Sequence, residues 1–115
     1  TIFSTGAMVS KALEAQELLE QENIHVRVVD FCSIKPIDRE LILKCAKETN
    51  KLISIEDHSI YGGLGDSVAD VLIEEYPKKL IKMGTKNEFG RSGKAEEVLK
   101  YFGLTVENIV NKVKE

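Results

Sequence analysis

The chain has 115 residues, is 43% hydrophobic and 30% charged, and carries a formal charge of −3. That length suits one domain, and that composition an ordinary soluble, globular one. The acidic balance argues against nucleic acid, which takes a basic face, and no apolar run approaches the ~20 residues that span a bilayer.

Thr1–Thr5 is a β-prone run that stops at Gly6 and predicts the first strand. The opening TIFSTGAMVS has no basic region ahead of a long apolar stretch, so it does not read as a signal peptide. It lacks an initiator Met and starts inside a strand-like run. The expectation is therefore a single domain over 1–115 that is a fragment of a longer chain. Met8, Ala12, Ala15, Leu18 and Leu19 recur at helical spacing and predict an amphipathic helix of about four turns. Asn23, which tolerates a left-handed cap, marks its end. HVRVVDF at 25–31 predicts the second strand. Pro36 bars an earlier helix start and Asp38 is a good N-cap, with Ile37 and Ile42 at the two positions of a hydrophobic staple. Leu41, Ile42, Cys45 and Ala46 then share the inner face of the second helix.

KLISIED at 51–57 predicts the third strand. A glycine-rich turn leads into the third helix, with Leu64, Val68, Val71 and Leu72 inward and Pro77 just past its end. KLIKMG at 79–84 is the fourth strand, stopped by Gly84. Thr85–Gly93 is polar and aperiodic, and long loops in compact domains are often functional. Ala95, Val98, Leu99 and Phe102 mark a fourth helix with Gly103 as its left-handed cap. Thr105 caps a last helix with Val106, Ile109, Val110 and Val113 inward. Cys32 and Cys45 are too few for a disulfide framework, and both sit in apolar patterns. Buried, reduced thiols and a cytoplasmic location are expected.

Alternation of strand and helix predicts a three-layer α/β/α fold, doubly wound on a mainly parallel four-stranded sheet. Strand order 2-1-3-4 is the economical choice. Ligands or partners dock at the carboxyl ends of such strands, beside the point where the order reverses. That rule brings Thr5-Gly6-Ala7-Met8 and Glu56-Asp57-His58 together at one edge.

The candidate site is therefore EDHSIYGGLGDSV, residues 56–68. Gly62, Gly63 and Gly65 open a helix, so their backbone could cradle an anion. The spacing is neither a dinucleotide fingerprint nor a P-loop, and the alternative is close packing against a neighbouring surface. His58, beside Asp57 and Glu56, could be a general base or a metal ligand. The other histidine, His25, is expected at the opposite edge, and neighbours on a strand point to opposite faces. Hydrogen bonding at a domain seam is the other reading of Glu56 and His58. Asn87, Glu88, Arg91 and Lys94 crowd the long loop and could meet a phosphate or a partner, or form a polar surface. From the residues alone, no active site is complete.

Three runs carry a resemblance. They are VVDFCSIKPIDRELI, then EDHSIYGGLGD, then EFGRSGKAEEVLKYFGLT, in order over nearly the whole chain. The chain resembles the Rossmann-like C-terminal domain of transketolase, in particular the kind encoded as separate N- and C-terminal subunits. The 1-deoxyxylulose-5-phosphate synthases and the β subunits of 2-oxoacid dehydrogenase E1 components share the first two features in looser form. The resemblance implies a parent enzyme that moves a two-carbon ketol unit between sugar phosphates in the pentose phosphate pathway. It implies thiamine diphosphate and Mg²⁺ in the parent, held by a diphosphate-binding and a pyrimidine-binding domain at a homodimer interface. No catalytic, cofactor or metal residue carries over to this chain. The implied role is non-catalytic packing and dimer assembly, with Gly6, Glu56, Asp57, His58, Gly62, Gly63 and Gly65 as the packing edge. Asn87, Arg91 and Lys94 are secondary candidates. A bulky residue at Gly63 is expected to weaken assembly while leaving the isolated fold largely intact. The family sheet also has a short antiparallel edge strand from residues before Thr1. The isolated domain is expected to be inactive. The alternatives are a stand-alone anion- or nucleotide-binding module, or the C-terminal domain of a 1-deoxyxylulose-5-phosphate synthase or of a 2-oxoacid dehydrogenase E1 β subunit.

Overall fold

In the computed structural model, the described residues are 1–31, 37–85 and 95–115, without the side chains at positions 58, 95, 96 and 98. Four strands, β1 (Ile2–Ser4), β2 (Val28–Asp30), β3 (Leu52–Ser59) and β4 (Leu80–Thr85), pair in parallel in the order β2-β1-β3-β4. The helices between and after them are α1 (Met8–Glu20), α2 (Arg39–Glu48), α3 (Leu64–Glu75), α4 (Ala95–Tyr101) and α5 (Val106–Lys114). The expected fold and strand order are both present, and every described pairing is parallel.

The pleat divides the core. Phe3 and Leu52 face α2 and α3, where Val29, Phe31, Ile42, Cys45, Val68 and Leu72 close one apolar layer. Ile2, Ile53 and Ile55 face the other side, with Met8, Ala12 and Ala15 of α1, Leu99 of α4 and Ile109 of α5. Both sides of β1 and the first half of β3 are therefore covered, as parallel sheets require. Cys45 is buried and reduced, as expected; Cys32 lies outside the described residues.

Local signals set the helix ends. The Asp38 side chain accepts from Leu41 N at 3.0 Å, and Thr105 Oγ1 accepts from Asn108 N at 3.1 Å. Ile37 and Ile42 share one cluster, as a staple requires. Asn23 and Gly103 take left-handed φ of 62° and 74°. After each, the next amide reaches back across the last turn, Ile24 N to Leu19 O and Leu104 N to Leu99 O. This is the bond pattern of a Schellman cap.

Some bounds differ from expectation. β2 is shorter than 25–31, and β4 runs through Gly84 to Thr85. Leu18 is 46% exposed rather than inward. At 100° per residue it lies about a quarter turn from the Met8–Ala12–Ala15–Leu19 stripe. No helix among the described residues is long and apolar enough to cross a membrane.

Candidate functional site

The stretch 56–58 lies in an irregular part of β3. Ile55 pairs with Met83 and Ser59 with Thr85, so four steps along β3 answer two along β4. A bulge of this kind re-aims side chains at a strand end. Glu56 and Asp57 still leave on opposite faces. Glu56 turns toward α3 and is 1% exposed. Asp57 turns toward the start of α1, where a Cβ on Gly6 would stand 3.3 Å from its Oδ1. Gly6 has φ +59°, a left-handed turn that releases the chain from β1 into α1. Strand order thus brings Gly6 and Asp57 together at the carboxyl edge, as the sequence pattern required.

Glu56 uses both oxygens on one helix start. Its Oε1 accepts from Leu64 N and its Oε2 from Gly65 N, each at 2.9 Å. Those are two of the first amides of α3, which have no partner within the helix. The glycines follow from this contact. A Cβ on Gly63 would lie 1.9 Å from Glu56 Oε1, and one on Gly65 would lie 2.8 Å from Ser54 Oγ. Gly62 has φ +76° and open space around it. So Gly62 supplies the turn, Gly63 admits the carboxylate, and Gly65 lets α3 press on the sheet. The geometry contradicts the expectation that bulk at Gly63 would leave the isolated fold intact, because a side chain there would displace the buried Glu56 carboxyl group from its two amides.

A second acid completes this start. Asp66 Oδ2 accepts from Gly62 N at 2.6 Å, and its other oxygen pairs with the Lys82 ammonium on β4. The Lys82 bond first, and then the Gly62 N–H, hold the Asp66 carboxyl below its usual range. Sequence reasoning passed over Asp66 and Lys82. An acid at the third helical position, placed to reach back to a preceding amide, was the signal that could have found them. It also passed over Tyr61, which is 65% exposed on the turn while its amide bonds Ser59 Oγ at 3.1 Å.

The remaining candidates separate. The His58 side chain and Asn87, Arg91 and Lys94 lie outside the described residues. His25 lies just before β2, at the opposite end of the sheet, with its Nδ1 3.0 Å from Glu20 Oε1. A cavity of about 490 Å³ opens at that same amino end, lined by Thr1, Ile24, His25, Glu48 and Lys51 among others. Among the described residues no group of three or more His, Cys, Asp or Glu could hold a metal.

A family model described as transketolase, C-terminal domain, matches residues 1–109. A putative transketolase C-terminal section of Methanocaldococcus jannaschii is 45% identical over all of this chain and 36% of its own length. A 1-deoxy-D-xylulose-5-phosphate synthase of Heliobacterium modesticaldum is 35% identical over all of this chain and 18% of its own. A solved split-gene transketolase, described as an inactive β4 tetramer, superposes with a TM-score of 0.91 at 46% identity. That match covers 98% of this chain and 37% of the solved one. The chain thus spans little more than a third, or less, of the proteins it matches.

Proposed function

This chain belongs to the transketolase C-terminal domain family, and on that premise we propose that it is the non-catalytic, assembly-supporting domain of a transketolase. The parent enzyme transfers a two-carbon ketol unit between sugar phosphates in the pentose phosphate pathway, with thiamine diphosphate and Mg²⁺ bound by its other domains. This domain docks its carboxyl edge, from Gly6 across Asp57 to the 59–63 turn, on the pyrimidine- and diphosphate-binding part and supports the homodimer.

The observation that carries this reading is the state of the turn. Glu56 is committed to α3, so the turn is a preformed surface and not an open ligand cradle, and Tyr61 projects from it. Exposed aromatics on rigid turns make effective interface anchors. The solved relative, described as inactive and tetrameric, supports a part that associates without catalysing. The cytoplasm suits such an enzyme and the buried thiol of Cys45.

The test is Tyr61→Asp in the full-length enzyme, read by sedimentation velocity. Truncating an interface anchor costs about 2 kcal/mol or more, a roughly 30-fold weaker association. Unchanged association would remove Tyr61 and its turn from the interface. A second reading, the same domain in a 1-deoxyxylulose-5-phosphate synthase, is favoured by the bacterial relative. Synthase activity of the full-length enzyme on pyruvate, without ketol transfer between sugar phosphates, would select it.

A further inference from the structure

We propose that the glycine-rich turn is an anion cradle filled by the chain's own carboxylate, so that Glu56 is a built-in ligand which closes the α3 N-terminus to phosphate. Two backbone N–H groups at the start of a helix, behind a run of glycines, are the usual means of binding a phosphate oxygen. Here both are present, at Leu64 and Gly65, and each already holds one oxygen of a carboxylate that is 1% exposed. The approach is tailored to that carboxylate, since at Gly63 even a methyl group would overlap Oε1. Two residues before Leu64, the Gly62 amide is held by Asp66 in turn.

An incoming phosphate would therefore meet two carboxylates and no open amide among these three. It would also have to expel a buried anion from its hydrogen bonds. The consequence is a turn held in one shape by a side chain of the same chain. Its shape does not vary with the phosphate or sugar-phosphate concentration around it. Glu56 acts on the edge by positioning the turn and touches no substrate. It fills the cradle whether or not the edge docks on a partner.

The test uses the full-length protein and three probes. Glu56→Ala empties the cradle, so its melting temperature falls. Sodium acetate at constant ionic strength then raises it saturably by mass action, while the unsubstituted protein does not respond. A folded Glu56→Ala protein with no acetate response would overturn the proposal. Glu56→Gln keeps one acceptor oxygen and turns an NH₂ group toward the other amide. One of the Leu64 and Gly65 amides then exchanges with solvent about tenfold faster, and the other is unchanged. Equal protection of both in Glu56→Gln would contradict it, and this variant decides the matter if Glu56→Ala fails to fold. In the unsubstituted protein, inorganic phosphate leaves the amide resonances of Leu64 and Gly65 in place; a saturable shift of both would show an open anion site instead.

Discussion

Two helices start at the carboxyl edge on opposite faces of the sheet, and β3 sends one acid toward each. At α3 the chain supplies the partners itself: Glu56 takes two amides, Asp66 a third, and Gly63 and Gly65 make room. The start of α1 is plainer. Its N-cap, Ala7, makes no side-chain bond, no acid lies in the first turn, and Asp57 is only half-buried beside Gly6. Alternation along one strand thus serves both faces of the sheet, but to different depths. A buried carboxylate fixes a backbone, because leaving its partners unmet costs about 1–3 kcal/mol for each group. The α3 half of the edge is fixed in this way, and Tyr61 projects from it.

The comparison breaks first at the two glycines. Gly63→Leu drives its Cβ into a buried carboxylate against backbone, and should destabilise by roughly 3 kcal/mol or more. Gly6→Ala meets Asp57 Oδ1 at 3.3 Å with a left-handed φ, and should cost about 1–2 kcal/mol. Urea midpoints of the two variants check the order. Equal losses would mean that the two helix starts are equally rigid.

A smaller effect concerns Asp66. Its carboxyl pKa is lowered in the folded state, so it contributes stability above the ordinary Asp value of 3.8. That contribution fades as pH falls through the lowered value. Lys82→Met removes the main cause of the lowering, so stability should decline less steeply as pH falls from 3.8 through the lowered value. The side chain of Asp66 is 38% exposed, so the change is a fraction of a kcal/mol. Midpoints measured across the acid range would show it, and identical slopes would leave Lys82 no hold on Asp66.

The fold was legible because its signals were redundant. Asp38, Thr105, Asn23 and Gly103 each mark a helix end by a side-chain or backbone device that works locally. Strand order followed from crossover handedness and the number of strands. The juxtaposition of Gly6 with Asp57 followed from strand order alone. The partner of Glu56 was not legible. A hydrogen bond to an amide eight residues away depends on how the 59–63 turn folds back, and periodicity does not encode that path. For the same reason the three glycines read in sequence as one motif, yet they do three separate jobs. Leu18 was misassigned because an apolar residue at the margin of a stripe looks inward by spacing alone.

The central claim is that this domain acts by assembly and not by chemistry. The most direct measurement is ketol transfer by the parent enzyme, with thiamine diphosphate and Mg²⁺, in the presence and absence of this domain, with sedimentation velocity on the same samples. The account predicts that activity and dimer are lost together when the domain is missing. Activity lost with the dimer intact would contradict it and would put residues of this edge within reach of the reacting sugar.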